Sequence, residues 1–193
     1  MREVPVQIAA RLPAAAELFA DRGVEHTKME DVAAATGVPK ATLYYYFSGK
    51  EEILAFLFQD VLRHVADQVA IAATGGGSAR ERLVGVVRAQ LAAMSEQPAV
   101  CRALTGELSR AGRVPALAAA IQAAYHAPVV ELLRQGAEDG SLARVADTDA
   151  AALMVFGAVT VTGLSHLIAG GTIGVDEATG ALVAVLLDGL GAH

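Results

Sequence analysis

The amino-acid sequence predicts an all-α protein with about nine helices, and three observations support that fold class. Apolar residues recur about every three or four positions along most of the chain. Glycines and prolines interrupt this pattern at intervals that suit helix ends. No run of alternating apolar and polar residues indicates a strand. We expect a three-helix domain in residues 1–50 and a larger helical domain in residues 51–193.

Composition limits the functions open to the chain. Its 193 residues, 54% of them hydrophobic, suffice for a substantial core. The formal net charge of -6 argues against a surface that binds nucleic acid everywhere, so any such contact is a local patch. The single cysteine excludes an intrachain disulfide and a zinc site built on cysteines. The N-terminus lacks a signal-peptide pattern, and we expect a cytoplasmic protein without a cofactor.

The first predicted helix ends at Gly23 and contains Pro13. Because proline disrupts a helix interior, this helix either begins near Pro13 or kinks there. The segment from Arg2 to Arg11 is then a mobile arm or an extra turn. We interpret it as a disordered terminus, although both arginines are chemically able to contact DNA.

The next two helices form a predicted helix-turn-helix. Thr27 and Glu30 have the spacing of a capping box at the start of the first of them. Gly37 suits a left-handed helix end, and Pro39 suits the first turn of the following helix. Together these signals predict a helix, a tight turn and a second helix.

The second of these helices has two different faces. Leu43 and Phe47 face back toward the preceding helix, as in a helix-turn-helix that lays its second helix in a DNA major groove. Three adjacent tyrosines point in different directions, so core packing alone does not explain them. The residues that can reach phosphates or base edges are Lys40, Thr42, Tyr44, Tyr45 and Tyr46.

The lysines support the same interface. Lys28, Lys40 and Lys50 are the only lysines and lie within the first 50 residues, whereas arginines are spread along the chain. They fall at predicted helix ends, where a DNA phosphate would lie. Such clustering indicates a partner-binding face, and a merely solvated surface is the alternative.

The N-terminal part of the chain resembles the TetR family of transcriptional regulators. The similar motifs are Leu18-Phe19-Ala20-Asp21-Arg22-Gly23, Thr27, Ala33 to Val38, and Thr42 to Leu54, within about the first 60 residues. The chain departs from the family pattern at Pro13 and at Pro39. Serine is common at the latter position, so the loss of its cap argues against a phosphate contact there.

The resemblance implies a DNA-binding regulator that acts as a dimer through its last two helices. It implies DNA contacts by residues of the helix-turn-helix and a phosphate contact by Lys50 at the start of the fourth helix. The candidate DNA-binding residues are Thr27, Lys28, Lys40, Thr42, Tyr44, Tyr45, Tyr46 and Lys50.

The rest of the chain is predicted to be helical. A helix from Glu51 to about Ala73 carries one apolar face, formed by Ile53, Leu54, Leu57, Val61, Val65 and Val69. A glycine-rich linker follows. Further helices are predicted over Ala79–Ser95, Ala99–Ser109, Pro115 to about Asp139, Asp147–Ala169 and Asp176 to about residue 190. Asp147 or Thr148 and then Asp176 are the expected caps of the last two, and Pro128 is expected to free the Ala124 carbonyl and kink its helix.

Residues 150–175 lack a charged side chain, a length that could span a bilayer. Glycine, threonine, serine and histidine weaken the hydrophobicity of this stretch, and no basic cluster flanks it. We therefore expect a helix that is buried on more than one face, partly against a second subunit, and no membrane contact.

No pattern of catalytic or metal-binding residues is found, so we expect neither an enzyme nor a metal site. A small helical enzyme or carrier that keeps the helix-turn-helix for packing is a competing hypothesis. Cys101 beside Arg102 is either a redox sensor with a lowered pKa or an ordinary buried thiol, and we favour the thiol.

A pocket for a small, largely apolar effector is expected between the helices of the second domain, because helices rich in Ala and Gly leave gaps. The candidate lining residues are Met94, Cys101, Leu104, Thr105, Leu108, Tyr125, His126, Val129 and Phe156. Ordinary core packing is the alternative for each of them. Tyr125 and His126 would orient the polar part of the effector.

These observations predict a repressor that binds a palindromic operator as a homodimer and leaves DNA when the effector binds. A single recognition helix reads only a few base pairs, so a dimer with two helices about 34–36 Å apart, or a multiple of that spacing, is needed for specificity. The alternative is a DNA-binding protein of the same fold that has no small-molecule effector and is controlled by a protein partner.

Overall fold

The computed structural model of the protein describes residues 3–103 and 122–189. Within these ranges the regular structure is helical and no strand occurs, which confirms the predicted all-α class. The chain divides into two compact units, Met1–Val61 with Gln97–Arg113 and Leu62–Glu96 with Val114–His193. The predicted domain boundary at residue 50 therefore lies inside the first unit, at the start of a long helix.

The first unit begins with helices α1 (Val6–Ala9), α2 (Pro13–Arg22), α3 (Met29–Thr36) and α4 (Lys40–Tyr46). Helix α2 starts at the proline, whose missing N–H costs nothing at that position. The single turn of α1 precedes it, so the extra-turn alternative applies to this segment. The buried apolar side chains here are Leu12, Ala15, Ala16, Phe19, Val24, Met29, Val32, Val38, Leu43 and Phe47.

Helix α5 (Lys50–Thr74) belongs to both units. Its start is fixed by Ser48, whose N–H and hydroxyl donate to the Glu52 carboxylate at 2.5 and 2.7 Å. The predicted apolar face is confirmed, because Ile53, Leu54, Leu57, Val61, Val65 and Val69 are all buried. In the first unit, Phe56 of α5 packs against Phe47 with ring centroids 5.7 Å apart.

The second unit contains helices α6 (Ala79–Glu96), α8 (Ala127–Asp139), α9 (Thr148–Ile168) and α10 (Val175–Val183). In the first unit, α7 begins at residue 98 and is described to residue 103. The predicted continuation to Ser109 and the predicted start at Pro115 lie outside the described residues. Helix α6 packs on α8, α9 and α10.

Two predicted helix starts have different outcomes. The Asp147 carboxylate accepts a hydrogen bond from the Ala150 N–H at 2.9 Å, as expected for the cap of α9. The prediction that Asp176 caps the last helix is wrong, because α10 begins at Val175 and Gly174 is its N-cap. Asp176 lies in the first turn and forms an ion pair with Arg88 of α6.

A π-helical turn, Gln122–His126, leads directly into α8. Pro128 lies at the start of α8, where it cannot donate to the carbonyl four residues earlier. The helix is thus disrupted at Pro128 as predicted, and the disruption is the π-helical turn Gln122–His126. A second π-helical turn, Ala184–Asp188, follows α10.

Helix α9 has an unusual surface. By length and composition it is the one helix in the described ranges that could span a membrane, yet only 28% of its most apolar window is buried inside the protein. Leu153, Met154, Val161 and Ile168 are 62–69% exposed. The last three are seven residues apart and form one apolar stripe along the helix.

Candidate nucleic-acid interface and effector site

The start of α3 differs from the prediction by one residue. The capping box of Thr27 and Glu30 is wrong, because Lys28 is the N-cap and its N–H donates to the Asp31 carboxylate at 3.0 Å. Thr27 is buried, and its hydroxyl donates to the Gly23 carbonyl at 2.9 Å. These contacts make Thr27 a residue that positions the loop before α3.

The turn between α3 and α4 requires Gly37. Its backbone has φ +62°, a conformation that residues with a Cβ atom rarely adopt, and the Arg11 guanidinium lies against it. Arg11 therefore lies over the C-terminal end of α3, where a positive charge is favourable. Before the turn, the Thr36 hydroxyl donates to the Val32 carbonyl at 2.7 Å and accepts from the Val38 N–H at 3.3 Å.

Helix α4 presents a face that the first unit does not use for packing. Leu43 is completely buried and Phe47 is 1% exposed, so they anchor the helix. On the opposite side, Tyr44 and Tyr45 are 51% and 59% exposed. The rings of Tyr45 and Tyr46 meet edge to face with centroids 4.9 Å apart. We call the exposed or half-exposed residues of this face, together with Lys28 at the start of α3, the recognition surface. Its members are Lys28, Lys40, Thr42, Tyr44, Tyr45 and Tyr46.

The positive charge of Lys40 on the recognition surface is partly compensated by a carboxylate of the same unit. The Lys40 ammonium forms an ion pair with Glu30 of α3 and lies 5.7 Å from the centroid of the Tyr44 ring. The hydrogen bond between the paired groups raises the pKa of Lys40 and lowers the pKa of Glu30. Lys40 therefore stays charged at neutral pH, and the Glu30 carboxylate partly compensates the charge that it offers to a phosphate.

Lys50 holds the loop that precedes α3. Its ammonium donates to the Glu25 carbonyl at 2.8 Å and to the Thr27 carbonyl at 3.0 Å. An ammonium has three N–H donors, so one remains for a phosphate. The contact with DNA that the sequence predicts for Lys50 is compatible with this geometry and stays a prediction.

The predicted effector residues are divided between the units. Met94, Tyr125, His126, Val129 and Phe156 belong to the second unit and Cys101 to the first, whereas Leu104, Thr105 and Leu108 lie outside the described residues. Burial raises the pKa of Cys101 to about 11. A thiol with a raised pKa is a poor redox sensor, which favours the ordinary buried thiol.

Tyr125 is the most informative of the predicted effector residues in the second unit. It lies in the π-helical turn, is 2% exposed, and its ring centroid is 5.2 Å from that of Phe156 on α9. Its hydroxyl has no hydrogen-bond partner within the described residues, and burial raises its pKa. The neighbouring His126 ring lies 3.3 Å from the Asp149 carbonyl, and Val129 is completely buried.

Sequence reasoning missed Gln90. This glutamine of α6 is 5% exposed, and its Nε2 donates to the Thr160 hydroxyl on α9 at 2.8 Å. Its Oε1 has no partner in the part of the chain that the structure describes. The available signal was a polar residue in an apolar stripe, since Val86, Val87, Leu91 and Met94 of the same helix are buried.

A separate cleft of about 610 Å³ opens on the second unit. Its lining residues are Leu133, Arg134, Ala137, Glu138, Arg144, Val145, Ala146 and Thr148, none of which was predicted. Arg134 is paired with Glu131 and Glu138, so its charge is already compensated. Over residues 3–103 and 122–189, no three His, Cys, Asp or Glu side chains come together to hold a metal ion.

Family models match both parts of the chain. Residues 12–56 match the model described as bacterial regulatory proteins, tetR family. Residues 76–190 match the model described as tetracyclin repressor-like, C-terminal domain. The first match contains the helix-turn-helix, and the second contains Gln90 and Tyr125.

Individual proteins agree with these matches. The HTH-type transcriptional repressor KstR2 of Mycolicibacterium smegmatis is 27% identical over 153 residues, which cover 76% of this chain and 75% of KstR2. The fatty acid degradation regulator FadR from Bacillus halodurans has a TM-score of 0.84 at 22% identity, with full coverage of both chains. FadR from Bacillus subtilis in complex with stearoyl-CoA has a TM-score of 0.78 at 20% identity and covers 95% of this chain and 100% of FadR.

Proposed function

The chain belongs to the TetR family of bacterial regulatory proteins, and we propose that it represses transcription by binding a palindromic operator as a homodimer. As a member of this family it is a DNA-binding transcriptional regulator and not an enzyme. We further propose that a small, largely apolar effector releases it from DNA and that it acts in the cytoplasm. Blocking a promoter needs no surface beyond the DNA interface, which favours repression over activation.

The observation that carries this proposal is the exposed face of α4. Leu43 and Phe47 fix the helix from one side, so the exposed Tyr44 and Tyr45 are not needed for the core. Aromatic and hydroxyl side chains there can contact base edges, and Lys28 and Lys40 can contact phosphates. We assign DNA binding to residues 1–50, with Lys50 as an additional phosphate contact.

The stripe on α9 supports the homodimer. Met154, Val161 and Ile168 expose a continuous apolar surface in the second unit, and Val185 after α10 is 47% exposed. A soluble protein covers such a surface with a partner. We propose that α9 and α10 pack against the same two helices of a second copy in a four-helix arrangement. The dimer would then present two recognition helices to successive major grooves.

The effector proposal rests on the second unit, and we assign the effector-binding and dimerisation domain to residues 51–193. Met94, Tyr125, His126, Val129 and Phe156 are the described candidates for the site, and Cys101, Leu104, Thr105 and Leu108 remain candidates from the sequence. The stearoyl-CoA in FadR from Bacillus subtilis is consistent with an effector that has a long apolar part. Effector binding would favour a dimer conformation that no longer fits the operator.

Selection of bound duplexes from a random DNA pool at near-physiological salt tests the DNA-binding proposal. We expect an enriched palindrome with half-sites about one helical turn apart or a multiple of it.

Lys40→Ala should weaken binding to that duplex and reduce its salt dependence by about one phosphate contact, whereas Arg144→Ala in the second unit should change neither. Weak binding without an enriched sequence would contradict the proposal.

Control by a protein partner is the alternative to control by an effector. The two differ in the response of the operator complex to small molecules. An effector that dissociates the complex would raise the melting temperature of the free protein, because it binds the folded state. A protein regulated only by a partner would show no such ligand in a broad screen.

A further inference from the structure

Three buried side-chain atoms in the second unit have no hydrogen-bond partner within the described residues: Arg82 Nε, Gln90 Oε1 and the Tyr125 hydroxyl. Arg82 is only half-buried and its guanidinium donates to the Ala73 carbonyl, whereas Tyr125 and Gln90 are 2% and 5% exposed. Buried polar groups are hydrogen-bonded in the large majority of cases, because an unpaired group loses its bonds to water without replacement. Gln90 Oε1 and the Tyr125 hydroxyl therefore indicate a hydrogen-bonding group that lies outside the described residues.

Both atoms belong to side chains that contact the same face of α9. The Tyr125 ring packs against Phe156, and the Gln90 amide donates to the Thr160 hydroxyl. Phe156 and Thr160 are four residues apart, so they lie on adjacent turns of one helix face, about 5–6 Å from each other. One turn further along, Met94 of α6 fills the space above Gly163 and closes the gap between the helices.

The surroundings determine which chemical group fits. Gln90 Oε1 only accepts a hydrogen bond, whereas the Tyr125 hydroxyl can donate one. The buried polar residues in the described ranges are Thr27, Thr36, Gln90 and Thr179, and none of them carries a charge that would compensate a charged ligand. The partly buried Arg82 guanidinium donates to the Ala73 carbonyl. Because burial also raises the pKa of Tyr125, its hydroxyl remains protonated and neutral at physiological pH.

We propose that Gln90 and Tyr125 together bind an uncharged hydroxyl group carried by an otherwise apolar effector. A ligand hydroxyl donates to Gln90 Oε1 and accepts from the Tyr125 hydroxyl, so one group satisfies both atoms. The π-helical turn before Pro128 places Tyr125 in this position, and such turns are frequent at functional sites. The inference rests on the proposed effector-regulated function and specifies the polar chemistry of its ligand.

The probes are 1-dodecanol, 1-hexadecanol and decahydronaphthalen-2-ol, each paired with its methyl ether, which accepts but cannot donate. Binding to the full-length protein is measured by calorimetry and by the shift in melting temperature. We expect at least one alcohol to bind about tenfold or more tightly than its ether. Tyr125→Phe and Gln90→Leu should remove most of that preference, whereas Thr179→Val, at another buried hydroxyl, should leave it unchanged.

Two results would overturn this inference. The first is equal binding of alcohol and ether, or no binding of any probe to the wild-type protein. The second is a Tyr125→Phe variant that melts at a lower temperature without ligand and shows an unchanged alcohol preference, which would assign the hydroxyl to a structural water. Operator binding, measured in parallel without probe, separates these outcomes from failure of the proposed function. It should persist in all three variants.

Discussion

At the scale of single residues, we expect the ion pair between Glu30 and Lys40 to set how strongly the recognition surface attracts DNA. An acidic residue on a DNA-binding face repels phosphates and also holds the lysine that would bind one. Both side chains are well exposed, so the pair contributes little to folding and its consequence lies in binding.

We expect Glu30→Gln to bind the operator about threefold to tenfold more tightly than the wild type, the size expected for one unit charge near a phosphate in water. The charge of Lys40 would no longer be compensated by a neighbouring carboxylate. Asp67→Asn, which makes the same charge change at an exposed position of α5, is the matched control. Mobility-shift titrations at several salt concentrations measure the effect, and weaker binding by Glu30→Gln would show that the pair preorganises Lys40 instead of competing with DNA.

At the scale of secondary-structure elements, helix positions were predictable from sequence because helix ends and apolar faces are local properties. Gly37 has the left-handed conformation that the turn signal predicted, and the buried face of α5 follows its apolar spacing. The error at the start of α3 lies where packing overrides a local signal. Thr27 and Glu30 have the spacing of a capping box, but Thr27 is buried and its hydroxyl bonds to the Gly23 carbonyl. Lys28 is therefore the N-cap, and its N–H bonds to the Asp31 carboxylate.

The candidate sites were predictable to different extents. The face of α4 follows from helical geometry around Leu43, so the recognition surface was found from sequence alone. Gln90 is detectable in the sequence only as a polar residue in an apolar stripe, and its partner Thr160 could not be predicted because it is 70 residues away along the chain. The contact between Arg11 and Gly37 could not be predicted for the same reason, because it depends on how α2 packs against α3.

The stabilisation that the hydrogen bonds between Ser48 and Glu52 give to the start of α5 depends on pH. Hydrogen bonds from the Ser48 N–H and hydroxyl lower the pKa of Glu52 below its ordinary value of 4.5. A lowered folded-state pKa gives stabilisation that is complete above the unfolded-state value and is lost as the pH falls through the folded-state value. Glu52→Gln should therefore destabilise the protein at neutral pH, by about 0.5–1 kcal/mol for a solvent-screened helix cap.

Urea denaturation from pH 7 to pH 3 measures this effect. The difference in unfolding free energy between Glu52→Gln and the wild type should narrow below about pH 4.5, as the wild-type carboxylate becomes protonated. Glu51→Gln alters the neighbouring charge in the same helical turn without removing the bonds to Ser48, so it is the control. A difference that is constant over the whole pH range would show that the Glu52 carboxylate is not responsible.

At the scale of the whole molecule, one helix connects the two candidate functions. Residues of α5 up to Val61 belong to the unit with the recognition surface, and those from Leu62 onward belong to the unit with Gln90 and Tyr125. The helix is uninterrupted from Lys50 to Thr74. One continuous helix therefore contributes residues to both units.

Dimerisation is the property on which the proposed binding to a palindromic operator depends, and the stripe on α9 makes it testable. Val161 is 64% exposed at the middle of the stripe. We expect Val161→Glu to place a charge in the proposed interface and to shift the protein toward monomers, because an unpaired buried charge is strongly unfavourable. Ile71→Glu changes an equally exposed apolar residue of α5, at 66% exposure, and should remain dimeric.

Analytical ultracentrifugation measures the oligomeric state, and circular dichroism verifies that both variants stay helical. A folded monomer of Val161→Glu should lose about a hundredfold or more in operator affinity, because each half-site is then bound independently. It should retain only the weak, salt-sensitive attraction of a single recognition surface to phosphates. If the monomer bound the operator as tightly as the Ile71→Glu dimer, one recognition helix would suffice and the palindromic operator would have to be abandoned.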